Sequence, residues 1–194
     1  NTFIPYTPTY TACGHTCVYT GSVPSIHGIT GNNWYDNELK RTVYCTEDKS
    51  VKSVGTTTDA GVMSPKNMLT TTVADELRLA TNFRSKVVGV AIKDRGAILP
   101  AGHSANAAYW YDSKTGNFIT STFYMNDLPQ WVKDFNAQKL ADKYYEQGWN
   151  LLYPANTYVQ STADEKTYEA KPLGSDQNGF PYDLKRFIGK SYGS

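Results

Sequence analysis

Apolar positions recur along this chain in three rhythms, and each predicts an element. From Lys86 to Ile92 the run KVVGVAI is almost continuously apolar and β-branched, the pattern of a strand covered on both faces. Between Met68 and Thr81, Leu69, Val73, Leu77 and Ala80 follow the helical period, with Ser64 placed to cap and Pro65 in the first turn. A helix feeding such a strand is a unit of a parallel α/β sheet. The stretch AAYWYDSKTGNFITSTFY alternates on both sides of Lys114–Thr115–Gly116, which predicts a hairpin. Leu128 to Gln147 reads as one amphipathic helix, opened by Pro129 and closed by Gly148.

Shorter signals fill the remainder. Residues 1–8 read as a strand ending at Pro5 and Pro8, and Ala12 to Tyr19 as a short helix stopped by Gly21. The segment SVPSIHGITGNN reads as a loop of turn formers, Arg41 to Cys45 as a strand, and SVGTTTDAGVMSP as a polar loop. From Asn156 onward the chain is polar with weak periodicity, and no internal repeat appears. The expected fold class is α/β. Residues 1–105 would form part of a core with a parallel sheet and helices, and residues 106–194 an inserted, cap-like α+β region.

Composition narrows the partners. The 194 residues carry a net charge of +1, with 40% hydrophobic and 19% charged residues, enough for one core with an insertion. No basic stripe is available to neutralise a phosphate backbone, so no nucleic-acid partner is expected. No apolar run reaches membrane-spanning length. The chain opens inside the strand-like NTFIPY without Met or a leader, so it reads as a piece of something longer. Fifteen Tyr and four Trp suit an exported protein, although large loops would explain them equally. Cys13 and Cys17 stand one helical turn apart, on one face but in poor disulfide geometry. With Cys45 they are expected as buried free thiols.

Two stretches carry candidate chemistry. Thr11 precedes a predicted helix, where Thr is a favoured cap. The same place gathers unsatisfied N–H groups at the positive end of the helix dipole, which favours anions and a hydroxyl acting as a nucleophile. Lys93 and Arg95 follow the predicted strand, where α/β sheets place ligand groups. Arg offers a planar fork to phosphate and Lys a point charge, yet a Lys-Asp-Arg after a strand also reads as a solvated loop. His15, His27 and His103 show no zinc-ligand spacing and read as structural.

The segment PTYTACGHTCVYTGSVPSIHGITGN strongly resembles the nucleophile motif of the alkaline phosphatase superfamily, in its nucleotide pyrophosphatase/phosphodiesterase branch. VAIKDRGAILPAGHSANAAYWYD is similar to a segment of that branch's bacterial alkaline phosphatases in which Lys and Arg, two residues apart, bind phosphate oxygens. The likeness extends through STFYMNDLPQWVKDFN, GWNLLYP and FPYDLKRF, over most of the chain. It implies a threonine nucleophile at Thr11 that forms a phospho-threonine and touches one of two zinc ions. It implies phosphate contacts at Asn32, Lys93 and Arg95, a small-molecule phosphate ester as substrate, and export to the periplasm or outer surface. Diesterase relatives generally lack the Lys/Arg pair, so a phosphomonoesterase is expected.

The family's other zinc ligands lie in an upstream Asp and in downstream Asp-x3-His and Asp-His patterns that this chain does not contain. The resemblance therefore implies a catalytically silent piece whose parent chain supplies the rest of the metal site. A sulfatase reading is weak, because Gly-His-Thr-Cys follows Cys13 in place of the x-Pro-x-Arg pattern. Two other readings stay open: a phosphodiesterase or nucleotide pyrophosphatase parent, and a non-catalytic binding or cap module built on the aromatic second half.

Overall fold

Helix α1 (Thr11–Thr20) ends where the sequence says it should: Gly21 takes φ 64 and returns its N–H to Cys17 O, a left-handed closure open to glycine at little steric cost. The computed structural model describes residues 9–169, 171, 179–190, 192 and 193, and the strand expected over residues 1–8 lies outside them. The loop expected next is more ordered than its composition suggests. Pro24 starts a one-turn helix α2 (Pro24–His27), Gly28 closes it at φ 81, and Asn33 already belongs to a strand. Proline at the first helical turn forfeits no hydrogen bond, which is how a turn-rich segment becomes a helix.

Two compact units emerge, residues Asn1–Asp112 with Asn117–Val132, and Ser113–Gly116 with Lys133–Ser194. In the first, β1 (Asn33–Asp36) and β2 (Arg41–Tyr44) form an antiparallel hairpin with Asn33 opposite Tyr44. A second sheet takes the order β3 (Ser53–Val54), β6 (Asn117–Ser121), β5 (Ala107–Asp112) and β4 (Val88–Ala91). Its β4–β5 pair is parallel and its other pairs antiparallel, giving a mixed α/β fold with the expected hairpin around Gly116.

Three expectations shift. The apolar period at 68–81 yields a shorter helix α3 (Val73–Ala80), capped by Thr72 in a capping box with Asp75; Ser64 instead donates to Asp48. Its apolar stripe does not face the core: Val73 and Leu77 are exposed, while Asp75 and Arg78 are buried. Strand β4 is likewise uncovered on one face, with Val88 51%, Val90 61% and Ile92 59% exposed. Those β-branched residues share the face opposite Gly89 and Ala91, since strand side chains alternate. The Gly89 face meets helix α4 (Asp94–Ala101): a Cβ on Gly89 would stand 2.1 Å from Ala97 O, so only glycine admits that approach.

The long helix expected after Leu128 is two, α5 (Gln130–Ala137) and α6 (Leu140–Gln147). Lys139 between them sits at φ 47, which interrupts the i to i−4 ladder. Pro129 and Gly148 bound the pair as expected. In the second unit, Trp149 pairs through its backbone with Tyr182, and the two rings gather with Phe180 at 5.0–5.5 Å, spacing at which aromatic edges and faces attract.

Candidate functional site

The N-terminus of α1 is the natural starting point. Tyr10, extended, is its cap residue and supplies no side-chain cap, so Thr11 is the first helical residue. Thr11 is exposed, and no described residue hydrogen-bonds its hydroxyl. Asn32 performs the capping from outside the helix: the Ala12 N–H donates to Asn32 Oδ1 at 3.0 Å. That bond fixes the amide orientation, because the oxygen must face the donor. The Asn32 NH2 group is thereby left without an acceptor among the described residues. Asn32 itself is pinned by its carbonyl, which accepts the Cys45 N–H at 3.0 Å.

Lys93 and Arg95 sit at the start of α4. Lys93 is its extended cap residue and Arg95 its second helical residue, with Asp94 between them. Two cations at the positive end of a helix oppose its dipole, and Asp94 in the first turn offsets part of that field. Arg95 Nη1 donates to the Tyr44 hydroxyl at 2.8 Å, and that hydroxyl donates to Asp94 Oδ1 at 2.9 Å. Thr46 donates to Asp94 Oδ2. Arg95 Nε is buried and has no acceptor among the described residues.

One apolar cluster supports both halves. Ala12 of α1, Ile29, Cys45, Met68 and Leu99 of α4 pack together, with Trp34 and Tyr44 against them. The structure thus joins Asn32 to the Thr11 helix directly, and sets the Lys93–Arg95 helix against the same core. Tyr44, Thr46 and Asp94 are the residues that sequence reasoning missed. No local pattern announces them, because their bonds span about fifty positions.

His27 and His103 are hydrogen-bonded into the fold. His27 is fully buried. Its Nδ1 accepts the Ile29 N–H at 3.1 Å, so Nε2 carries the proton and faces Cys17 Sγ at 3.3 Å. Burial lowers the His27 pKa and, with help from nearby Cys13, pushes the Cys17 thiol up to about 11. All three cysteines are free; Cys13 and Cys45 are buried, whereas Cys17 is only half-buried. Burial, then the Asp94 charge, pushes the Cys45 thiol up to about 12. Neither Cys17 nor Cys45 is a ready thiolate near neutrality. His103 bonds Met68 O through Nε2 at 2.8 Å. Among the described residues no three His, Cys, Asp or Glu side chains gather as a metal site. The described residues of this chain therefore do not fit a zinc ion by themselves.

The sequence matches the profile of the family described as type I phosphodiesterase / nucleotide pyrophosphatase over residues 1–175. Alkaline phosphatase PhoV of Synechococcus elongatus is 64% identical over 192 residues, which cover 99% of this chain and 35% of PhoV. A protein of Myroides odoratus named calcium-transporting ATPase is 59% identical, over 95% of this chain and 34% of its own length. Alkaline phosphatase PafA of Elizabethkingia meningoseptica is 54% identical over 94% of this chain and 34% of its own. A crystal structure of wild-type PafA superimposes with a TM-score of 0.95 at 51% identity, covering all of this chain and 38% of that one. A PafA variant substituted at a threonine, an asparagine, a lysine and an arginine superimposes with a TM-score of 0.91 at 49% identity, over 99% of this chain and 37% of that one. In PafA, as here, that asparagine follows the threonine by 21 residues and the arginine follows the lysine by two. The chain spans about a third of the length of the curated relatives it matches.

Proposed function

Because this chain belongs to the type I phosphodiesterase / nucleotide pyrophosphatase family, we propose that it is the nucleophile-bearing part of a phosphomonoester hydrolase of the alkaline phosphatase kind. Thr11 is the nucleophile and Asn32, Lys93 and Arg95 hold the phosphoryl oxygens. The observation that supports this reading is the bond from the Ala12 N–H to Asn32 Oδ1, which ties Asn32 to the first turn of the helix that Thr11 opens.

The Thr11 oxygen attacks phosphorus, the new O–P bond forms as the ester bond breaks, and the alcohol departs with a proton. Water then attacks the phospho-threonine and releases inorganic phosphate and the restored hydroxyl. Through both steps Asn32 and the two cations offset the charge on the phosphoryl oxygens. A monoester carries one more negative charge than a diester, so the Lys93–Arg95 pair favours monoesters. Residues 1–105 would be the part of the core that bears these groups, and residues 106–194 the inserted cap. The complete enzyme would hold two zinc ions to activate the nucleophile and the leaving oxygen, and Thr11 would be this chain's contact to one of them, with the other ligands outside this chain. The enzyme would work in the periplasm or at the cell surface.

The isolated chain is then silent. With zinc and p-nitrophenyl phosphate it should show no turnover, and turnover that disappears in Thr11→Ala would refute that. In the full-length enzyme, replacing Lys93 and Arg95 by Ala should lower kcat/KM for a monoester at least a hundredfold more than for a diester. Equal losses would contradict the assignment of the pair.

A further inference from the structure

Tyr44 lies in neither motif, yet it touches both. Its backbone is held from both sides: its N–H donates to Glu47 Oε2 at 3.0 Å, and its carbonyl accepts from Asn67 Nδ2 at 3.2 Å. Its ring packs against the cluster that contains Ala12 and Leu99. Across the hairpin it faces Asn33, the neighbour of Asn32. From that fixed base the phenol accepts from Arg95 and donates to Asp94, and Thr46, fully buried, holds the other Asp94 oxygen. Burial, and then the Asp94 charge, raise the Tyr44 pKa, so the group stays a neutral phenol able to fill both roles.

We propose that Tyr44 is a positioning residue for substrate recognition: it fixes the Arg95 guanidinium beside the hairpin that carries Asn32, and so sets the preference for dianionic phosphate esters. This rests on Arg95 being a phosphate contact. An unrestrained Arg surrenders rotamer freedom when it engages a ligand. A guanidinium already held through one nitrogen surrenders less, and its remaining donors keep a constant direction. The directional order matters. Because the phenol proton is committed to Asp94, its oxygen lone pair faces Arg95, and the Asp94 charge is engaged by Tyr44 and Thr46 rather than left to compete with phosphate for the guanidinium.

The test is a double-mutant cycle in the full-length enzyme, using p-nitrophenyl phosphate and the methyl ester of the same compound. Tyr44→Phe removes one oxygen and leaves the ring in its packing. It should lower monoester kcat/KM about tenfold, change diester kcat/KM less than twofold, and cause no further loss when added to Arg95→Ala. Asp94→Asn, which weakens the acceptor of the phenol while leaving Tyr44 in place, should reproduce the monoester-selective loss. Equal losses for the two substrates in both variants, or a Tyr44→Phe effect that persists without Arg95, would overturn the proposal. Should Arg95→Ala itself leave monoester hydrolysis intact, the phosphate-contact reading falls, and this proposal with it. The single variant of Arg95 therefore separates the two failures.

Discussion

Asn32 carries two jobs on one amide, and chemistry can separate them. Its oxygen caps α1 through the Ala12 N–H, and its nitrogen is the proposed phosphate donor. Asn32→Ala loses both, and should destabilise the chain by about 1 kcal/mol, the usual worth of a helix cap. Asn32→Asp keeps an acceptor, and its charge at a helix N-terminus is favourable, so chemical denaturation should find it at least as stable as the wild type. The same carboxylate repels phosphate, so in the full-length enzyme both variants should lose activity. A stable, active Asn32→Asp would show that the amide nitrogen does nothing. The sequence makes Asn32 legible as a motif position, but its capping role is not written locally: Tyr10, the cap residue, lies twenty-two positions away.

Asp75 acts at the level of elements, tying the N-terminus of α3 to the segment after α4. It closes the capping box with Thr72 and accepts from the His103 N–H at 3.2 Å and from both the N–H and hydroxyl of Ser104 at 2.7 Å. Burial alone would raise its pKa, but hydrogen bonds from Ser104, Thr72 and His103 outweigh it and hold the carboxyl below the usual range. A depressed carboxylate contributes stability that is present above the unfolded value, about 3.9, and lost as pH falls through the folded value. Asp75→Asn should cost about 2 kcal/mol at pH 7. In urea titrations that gap should persist to pH 5 and narrow below about pH 4, and the comparison is repeated in His103→Gln because the His103 ring lies 3.7 Å from Asp75. A gap that stays constant to pH 3 would remove charge from the explanation. This element also shows where sequence reading stops. The helical period at 68–81 is real, but it reads as capped by Ser64, and only the reach of Asp75 back to Thr72 fixes where the helix starts. By contrast, α1 and the β5–β6 hairpin end at glycines whose positive φ is a local necessity, and both are legible. The break at Lys139 has no such residue-level mark.

At the scale of the whole molecule, apolar surface is exposed where the pattern called for burial. Val73 and Leu77 of α3, and Val88, Val90 and Ile92 along β4, all face outward, and β4 is an edge of its sheet among the described residues. KVVGVAI reads as a strand covered on both faces because both of its faces are apolar; α4 covers one, and nothing described covers the other. Burial depends on what lies across a face, which periodicity cannot report. The complete enzyme proposed above has roughly twice as much further chain with which to cover it, judged by the third of its relatives that this chain spans. An apolar, β-branched edge strand left open is a template for pairing with another copy. The isolated chain should therefore form larger species as concentration rises, read by light scattering after size exclusion. Val90→Lys puts a charge on the open face without touching α4, so it should return the chain to a monomer while changing its stability by no more than about 0.5 kcal/mol. Charge at Val18, equally exposed on α1 but not on the sheet, should leave the association unchanged. If both lysines dissolve the larger species alike, general solubility and not the open strand is responsible.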